Sequence, residues 1–503
     1  MAISIALLAS VIAALAVLAF VVSSIQSYRR LSHIPGPPSA AFSILWQIRA
    51  LQSGQNNLKV AEVNQKYGSL ARIGPNSLVT SDPDLLRRMS AARSPYRRGS
   101  WYNAMRMKPR KDNVLSVRDE KHHDELRRKM AFGYAGKENP LLEETIDKHI
   151  QECVDLIERK YVSSGTDLKK MDFGRVAQFL TLDIISGLAF DRPFGDIAHD
   201  QDMFEYIKTT EENLPVMILM TILPWVHKLL EKSYLMDFMA PSVKDKVGLG
   251  KIINIAQERV AERFLPDGKR RDQQDMLGSF IRHGLTQEEA ESESVLQILA
   301  GSDTTATGIR TTMLYLITNP SVLAKLRSEI DSAIRDHRIS SPITDAEARN
   351  LPYLQACIKE GLRIWPPITG LMEKVVPPEG DVVNGMFVPG GTQIGYCAWG
   401  VHRNPRIFGA DADVFRPDRW LEAQGEQLQS MERNNDLIFG HGRFTCLGKT
   451  VAFMELNKVF VELLRRFDFT IVDPSNPWKV TNVGMWMQSN MWVRVTRRED
   501  TVR

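Results

Sequence analysis

The sequence predicts a mainly α-helical chain carrying small β-sheets, and three kinds of stretch predict it. Thr286-Gln287-Glu288-Glu289 is a capping box that opens an unbroken helical pattern, closed only at Asn319-Pro320. At 1.5 Å per residue that helix is about 50 Å long, enough to cross a whole domain. Leu456, Val459, Phe460, Leu463, Leu464 and Phe467 recur at the 3.6-residue period of a second, strongly amphipathic helix. The extended runs are short by comparison. They are Ser69 to Ile73, Ser77 to Thr80, and Val382 to Val388, the last folded on an Asn384-Gly385 pair that favours a two-residue hairpin.

In chain order, the first element is apolar. From Ile3 to Val22 no residue is charged, and twelve positions are Ile, Leu, Val or Phe. Each favours bilayer insertion by about 0.3 to 0.6 kcal/mol, and twenty residues match a hydrocarbon core about 30 Å thick. A single N-terminal transmembrane helix is therefore expected, rather than a cleaved signal peptide, which would be shorter and begin with basic residues. Arg29 and Arg30 follow it and place the rest of the chain on the cytosolic side. Pro35-Gly36-Pro37-Pro38 then forms a stiff hinge. The division expected is a membrane anchor at 1–28, a basic and proline-rich hinge at 29–38, and one domain at 39–503.

Composition excludes other classes. Lys and Arg number 64 against 60 Asp and Glu, a net charge of +4 with both signs interspersed, so no basic block exists to hold a nucleic acid. Cys153, Cys357, Cys397 and Cys446 show no framework spacing, which suits a reducing compartment. The absence of a usable N-x-S/T sequon agrees.

Further along, Ser94 to Ser116 is basic and loop-like, with Trp101, Tyr102 and Met105 interleaved. His122 to Arg128 opens a helix in which His123 and Arg127 lie one turn apart. Phe173 to Phe194 reads as a core helix, and Val216 to Leu230 as an apolar segment broken by Pro224. Inside the long helix, Ala300-Gly301-Ser302-Asp303-Thr304-Thr305 places glycine and threonines where helices disfavour them, which invites a functional reason. Glu360 and Arg363 are spaced for an ion pair, ahead of Pro366-Pro367.

The chemistry concentrates in Phe439-Gly440-His441-Gly442-Arg443-Phe444-Thr445-Cys446-Leu447-Gly448. A cysteine at a helix N-terminus is held as thiolate by unpaired amides and the positive dipole end. Thiolate is a ligand for a soft or redox-active metal. Gly440, Gly442 and Gly448 are expected to let the backbone approach a flat, bulky partner.

These residues resemble the cysteine-ligand loop of the cytochrome P-450 family, pattern F-x-x-G-x-R-x-C-x-G, with Phe439, Gly442, Arg443, Cys446 and Gly448 expected at its fixed positions. Three further motifs resemble that family in the same order. The Ala300 to Thr305 run is similar to A-G-x-D/E-T-T, Glu360 and Arg363 to E-x-x-R, and Arg419 to the arginine that pairs with it. The resemblance implies the cytochrome P-450 fold over the catalytic domain, with haem b held by the Cys446 thiolate. Phe439, Gly440, Gly448 and Arg443 would surround the haem, and His123 (where the family commonly has Trp), Arg127 and Lys374 would hold its propionates. Gly301 would leave room for dioxygen, and Asp303 and Thr304 would manage protons. Ser94 to Ser116 would close over the substrate, Val216 to Leu230 would roof its channel, and Gly484 to Asn490 would supply the last substrate-contact turn.

The reaction implied is a monooxygenation of an apolar small molecule by dioxygen. Electrons would come from NADPH through a separate NADPH–cytochrome P-450 reductase, docked on Arg127, Arg128, Lys129, Arg443 and Lys449. The place implied is the endoplasmic reticulum membrane, in contact with lipid. G-H-G-R-F-T-C-L-G-K and the L-R-R-K run resemble fungal members near pisatin demethylase and benzoate hydroxylase, which suggests secondary metabolism. Two alternatives are a haem–thiolate isomerase or dehydratase that needs no external electrons, and a non-catalytic haem-binding membrane protein.

Overall fold

The computed structural model describes residues 2–136, 138–233, 240–265 and 268–499, so the domain expected to reach 503 is followed to Glu499. Helix α1 (Ala2–Leu31) opens the chain. Leu7, Val11, Leu15 and Leu18 on it are exposed, whereas Leu31 at its end is fully buried. Its last turn belongs to the domain. Arg72 Nη2 donates to the carbonyls of Ser27 at 3.1 Å, Ala41 at 3.0 Å and Pro75 at 2.8 Å. The Arg72 N–H donates to Pro35 at 2.8 Å, and a Cβ on Gly36 would come within 2.2 Å of the Arg72 carbonyl. A buried guanidinium thus ties the end of α1 and the stretch after it to the sheet.

Strands β1 (Leu70–Arg72) and β2 (Ser77–Thr80) pair antiparallel as the two extended runs predict. They join a five-stranded sheet in the order β1-β2-β8-β5-β3, with β3 at Arg97–Arg98, β5 at Lys374–Val375 and β8 at Gln393–Tyr396. In it Arg98 stands directly opposite Lys374. Between β5 and β8, β6 (Asp381–Val383) and β7 (Met386–Val388) form the expected hairpin, with φ of 51° at Asn384 and 77° at Gly385, as a type I′ turn requires.

The helical part is built on α2 (Glu120–Tyr134), α3 (Phe173–Phe190), α4 (Tyr206–Ile222), α5 (Pro224–Glu231), α6 (Gln287–Thr318), α7 (Pro352–Ile364) and α8 (Lys449–Leu464). The Thr286–Glu289 capping box is formed in full, and α6 runs 32 residues as predicted. By length and apolarity α3 could cross a membrane, but 94% of it is buried in the protein, so it is a core helix. Helices α4 and α5 meet at a bend of 104°, where Pro224 restarts the helix. Val216, Trp225 and Leu229 on them are more than half exposed, so one face of this segment lies at the surface while Leu214 and Ile218 on the other are buried. Phe467 does not continue α8, as its period suggested. It opens β9 (Phe467–Ile471), because a buried apolar face runs on through the chain reversal. In the basic stretch from Ser94 to Ser116, Trp101, Tyr102 and Met105 are buried.

Candidate active site

Cys446 lies in the loop leading into α8, and its N–H donates to the Phe439 carbonyl at 2.6 Å. Gly440 and Gly442 have φ of 76° and 59°, and a Cβ there would meet the Phe444 carbonyl at 2.6 Å and the Ser90 carbonyl at 2.3 Å. These two glycines are required by the turn itself. Of the three, Gly448 alone has room for a Cβ, which would touch Cys446 Sγ at 3.8 Å and Tyr134 at 4.0 Å.

The Cys446 side chain is accessible although the protein surrounds it, so it lines an interior cavity. Burial pushes its thiol up, while the N–H groups of Gly448 and Lys449 and the Arg127 guanidinium oppose that shift. The helix N-terminus alone therefore does not hold the thiolate; a cation at sulfur is needed as well.

Two residues before Cys446 stands Phe444, and around its ring the basic groups gather. Lys374 Nζ lies 3.1 Å from the ring centroid and the Arg98 guanidinium 4.6 Å from it. His123 is buried with its ring 5.0 Å away, and Arg127 Nη1 donates to the Thr445 carbonyl at 2.5 Å. Lys374 Nζ and Arg98 Nε are buried without a hydrogen-bond partner. Burial pushes Lys374 down to about 6, with Arg98 adding to the effect, and His123 down to about 4. These two unpartnered buried nitrogens, gathered at the ring two residues before a cysteine, fit the paired carboxylates of haem b with its iron on sulfur.

Arg443 is the correction here. Read strictly, the family's pattern puts its arginine at the Phe444 position, one residue later. The Arg443 side chain turns outward to Glu120 and the Ala92 carbonyl. Arg98 is the residue that sequence reasoning missed. It sits in the basic Arg97-Arg98 pair, and only its register opposite Lys374 brings it inside.

A pH effect follows from Lys374. Neutral at pH 7 without an anion beside it, it becomes charged when carboxylates arrive, so haem loading takes up a proton. Affinity for haem is expected to fall as pH rises above 6. Haem titration of the apoprotein at several pH values checks this, and Lys374→Met should flatten the dependence.

On α6, Ala300 and Thr304 are accessible in the middle of a core helix and border interior space. Thr304 Oγ1 donates to the Ala300 carbonyl at 2.7 Å, leaving its lone pairs free. Gly301 has a packing reason different from room for dioxygen: a Cβ there would meet Ile185 of α3 at 2.7 Å. Asp303 also faces α3, where Gln178 Nε2 donates to its Oδ1. Burial pushes the Asp303 carboxyl up to about 6, against the pull of Arg310.

Behind the loop, Glu360 is fully buried. It accepts from Arg363 at 2.8 and 2.7 Å, Arg419 Nε at 3.0 Å, Trp420 Nε1 at 2.9 Å and the Arg416 N–H at 2.9 Å. The two guanidiniums in turn cap the carbonyls of His402, Ala412, Asp411 and Val414. This hub locks the segment ahead of the cysteine loop and touches no cavity. The basic face expected near α2 is largely compensated: Lys129 pairs with Glu289, Arg443 with Glu120 and Lys449 with Asp436.

A sequence model of the family described as Cytochrome P450 matches residues 35–491. The chain is similar to the Cytochrome P450 monooxygenase ABA1 of Pyricularia oryzae, 44% identical over 496 residues, covering 97% of this chain and 96% of that one. It is 40% identical over 474 residues to aba1 of Botryotinia fuckeliana, covering 94% and 93%. To abl1 of Leptosphaeria maculans it is 37% identical over 464 residues, covering 91% and 81%.

Proposed function

The chain belongs to the cytochrome P450 family, and on that premise we propose that it oxidises an apolar small molecule with electrons passed from NADPH by a separate reductase. It is a monooxygenase that binds haem b through a cysteine thiolate, and a fungal secondary-metabolism setting fits its relatives. The observation that carries the reading is an accessible Cys446 with Lys374 and Arg98 gathered at the Phe444 ring two residues before it, the Lys374 Nζ and the Arg98 Nε having no hydrogen-bond partner.

When bound, haem b supplies activation of dioxygen and insertion of one oxygen atom. Cys446 Sγ would be its ligand. Lys374, Arg98 and Arg127 would orient it through charge, and His123 as a neutral hydrogen-bonding ring. Trp101, Tyr102, Leu214, Ile218 and Val483 form one buried apolar cluster, which excludes water and suits an apolar substrate. Thr304 holds a proton at Oγ1, and Asp303 connects that proton to solvent.

Thr304→Ala is expected to leave haem binding and reduction intact while product per NADPH falls about tenfold and hydrogen peroxide rises. Stoichiometry of NADPH, peroxide and product decides. Product without NADPH would instead show an isomerase or dehydratase, and fully coupled turnover would remove the role of Thr304.

The exposed apolar side chains of α1, together with Val216, Trp225 and Leu229, support single-pass anchoring in the endoplasmic reticulum membrane with the domain in the cytosol. Removal of residues 1–26, which spares Ser27 and its contacts, should weaken flotation with vesicles and leave haem content unchanged. Undiminished flotation, or loss of haem, would sink the anchor.

A further inference from the structure

We infer that Gln178, on α3, is a positioning residue for the proton-handling carboxyl of Asp303. This rests on the monooxygenase reading and extends it to a residue outside the Ala300 to Thr305 run.

Gln178 is 2% exposed and lies between two partners. Its Oε1 accepts from Arg310 Nη2 at 2.6 Å, and its Nε2 donates to Asp303 Oδ1. Arg310 is buried and anchored by its Nε on the Gly174 carbonyl at 2.8 Å. A guanidinium can only donate, so the amide has a single workable orientation, oxygen to Arg310 and nitrogen to Asp303. The chain of bonds is therefore polarised from guanidinium through amide to carboxyl. Asp303 Oδ1 is held as an acceptor, which leaves Oδ2 as the atom that carries a proton.

Burial already brings this carboxyl to about 6, so both of its states are within reach near neutrality. The groups facing it are Arg310 on α6, Arg175 on α3, and Glu211 and Tyr206 on α4. Arg175 and Glu211 bind each other in a two-pronged pair at 3.0 and 2.9 Å, so their effects on Asp303 oppose. Proton delivery breaks the Oδ2–H bond and forms an O–H bond on water, which releases one of its own protons into the site and stays neutral, while Thr304 Oγ1, whose lone pairs are free, can accept a hydrogen bond from it. The carboxylate left behind keeps the Gln178 N–H and then takes a proton from solvent. Gln178 does not titrate, so it holds the carboxyl in place through both halves of that cycle.

Difference infrared spectroscopy tests this, with the Asp303 band identified by its loss in Asp303→Asn. Gln178→Leu removes the donor to the carboxylate, and Gln178→Glu puts an acid there that stays tied to Arg310. Losing a hydrogen bond to the charged form or gaining a like charge raises the Asp303 midpoint, by about one pH unit in each variant. Product per NADPH at pH 7 should fall about tenfold in parallel, as for a displaced catalytic group. An unmoved midpoint in both variants overturns the positioning role. A raised midpoint with unchanged coupling overturns the link to proton delivery, while the Thr304→Ala stoichiometry still judges the reaction class. Gln178→Glu preserves size and the Arg310 contact, so the test survives if the leucine variant does not fold.

Discussion

Glu360→Ala is expected to yield almost no haem-loaded protein. The carboxylate is 0% exposed and is shared by Arg363, itself 0% exposed, and Arg419 at 2%. Removing it leaves the buried Arg363 without a carboxylate and takes an acceptor from Arg419, which keeps Asp411, from the Trp420 indole N–H and from the Arg416 N–H. Breaking a buried pair from one side costs about 3 to 5 kcal/mol, against a typical total stability of about 5 to 15 kcal/mol. The strain falls on the backbone from His402 to Val414, whose carbonyls the same guanidiniums cap. Glu360→Gln retains an acceptor oxygen and should recover part of the loading. Haem content per mole of purified protein, with thermal melting, measures both variants. A fully loaded Glu360→Ala enzyme that changed only its site of oxidation would refute a structural role.

This hub shows which parts of the molecule were legible in the sequence. E-x-x-R predicts a local ion pair because three residues make less than one helical turn, and the pair forms at 2.7 Å. The capping box, the long α6 and the Asn384-Gly385 hairpin were equally local and equally readable. What the sequence could not supply were meetings between distant segments. Arg98 enters the site because β3 pairs with β5, far along the chain, and no periodicity around Arg98 encodes that register. Arg443 and Phe444 show the opposite limit. The local pattern was readable, but a charge next to a cysteine suggests a ligand more readily than a phenylalanine does. In the structure the phenylalanine ring supplies the platform and distant cations supply the charge. Gly301 makes the same point for packing, because only the approach of α3 explains its missing side chain.

Cys446→Ser is expected to remove the thiolate ligand and with it monooxygenase turnover. The four cysteines divide sharply by environment. Cys153 and Cys397 are buried and burial pushes their thiols up to about 12, and Cys357 is likewise raised. None of these three can present a thiolate near neutrality, and none is accessible. Cys446 alone is accessible, with two backbone N–H groups and Arg127 favouring its charged form. Iron at that sulfur completes the stabilisation that the helix end begins, since a coordinated thiol is deprotonated outright. A serine hydroxyl keeps the shape of the side chain but lacks the polarisable anion that pushes electron density toward oxygen. The carbon monoxide complex of the reduced Cys446→Ser variant should therefore lose its thiolate-shifted Soret band, while Cys153→Ala, Cys357→Ala and Cys397→Ala keep it in whatever fraction folds. Lys374, Arg98 and Arg127 are untouched in Cys446→Ser, so haem should still enter, held by charge at its carboxylates. Retained haem with a shifted spectrum separates loss of the ligand from loss of the fold, and an unshifted spectrum in Cys446→Ser would overturn the assignment of the ligand.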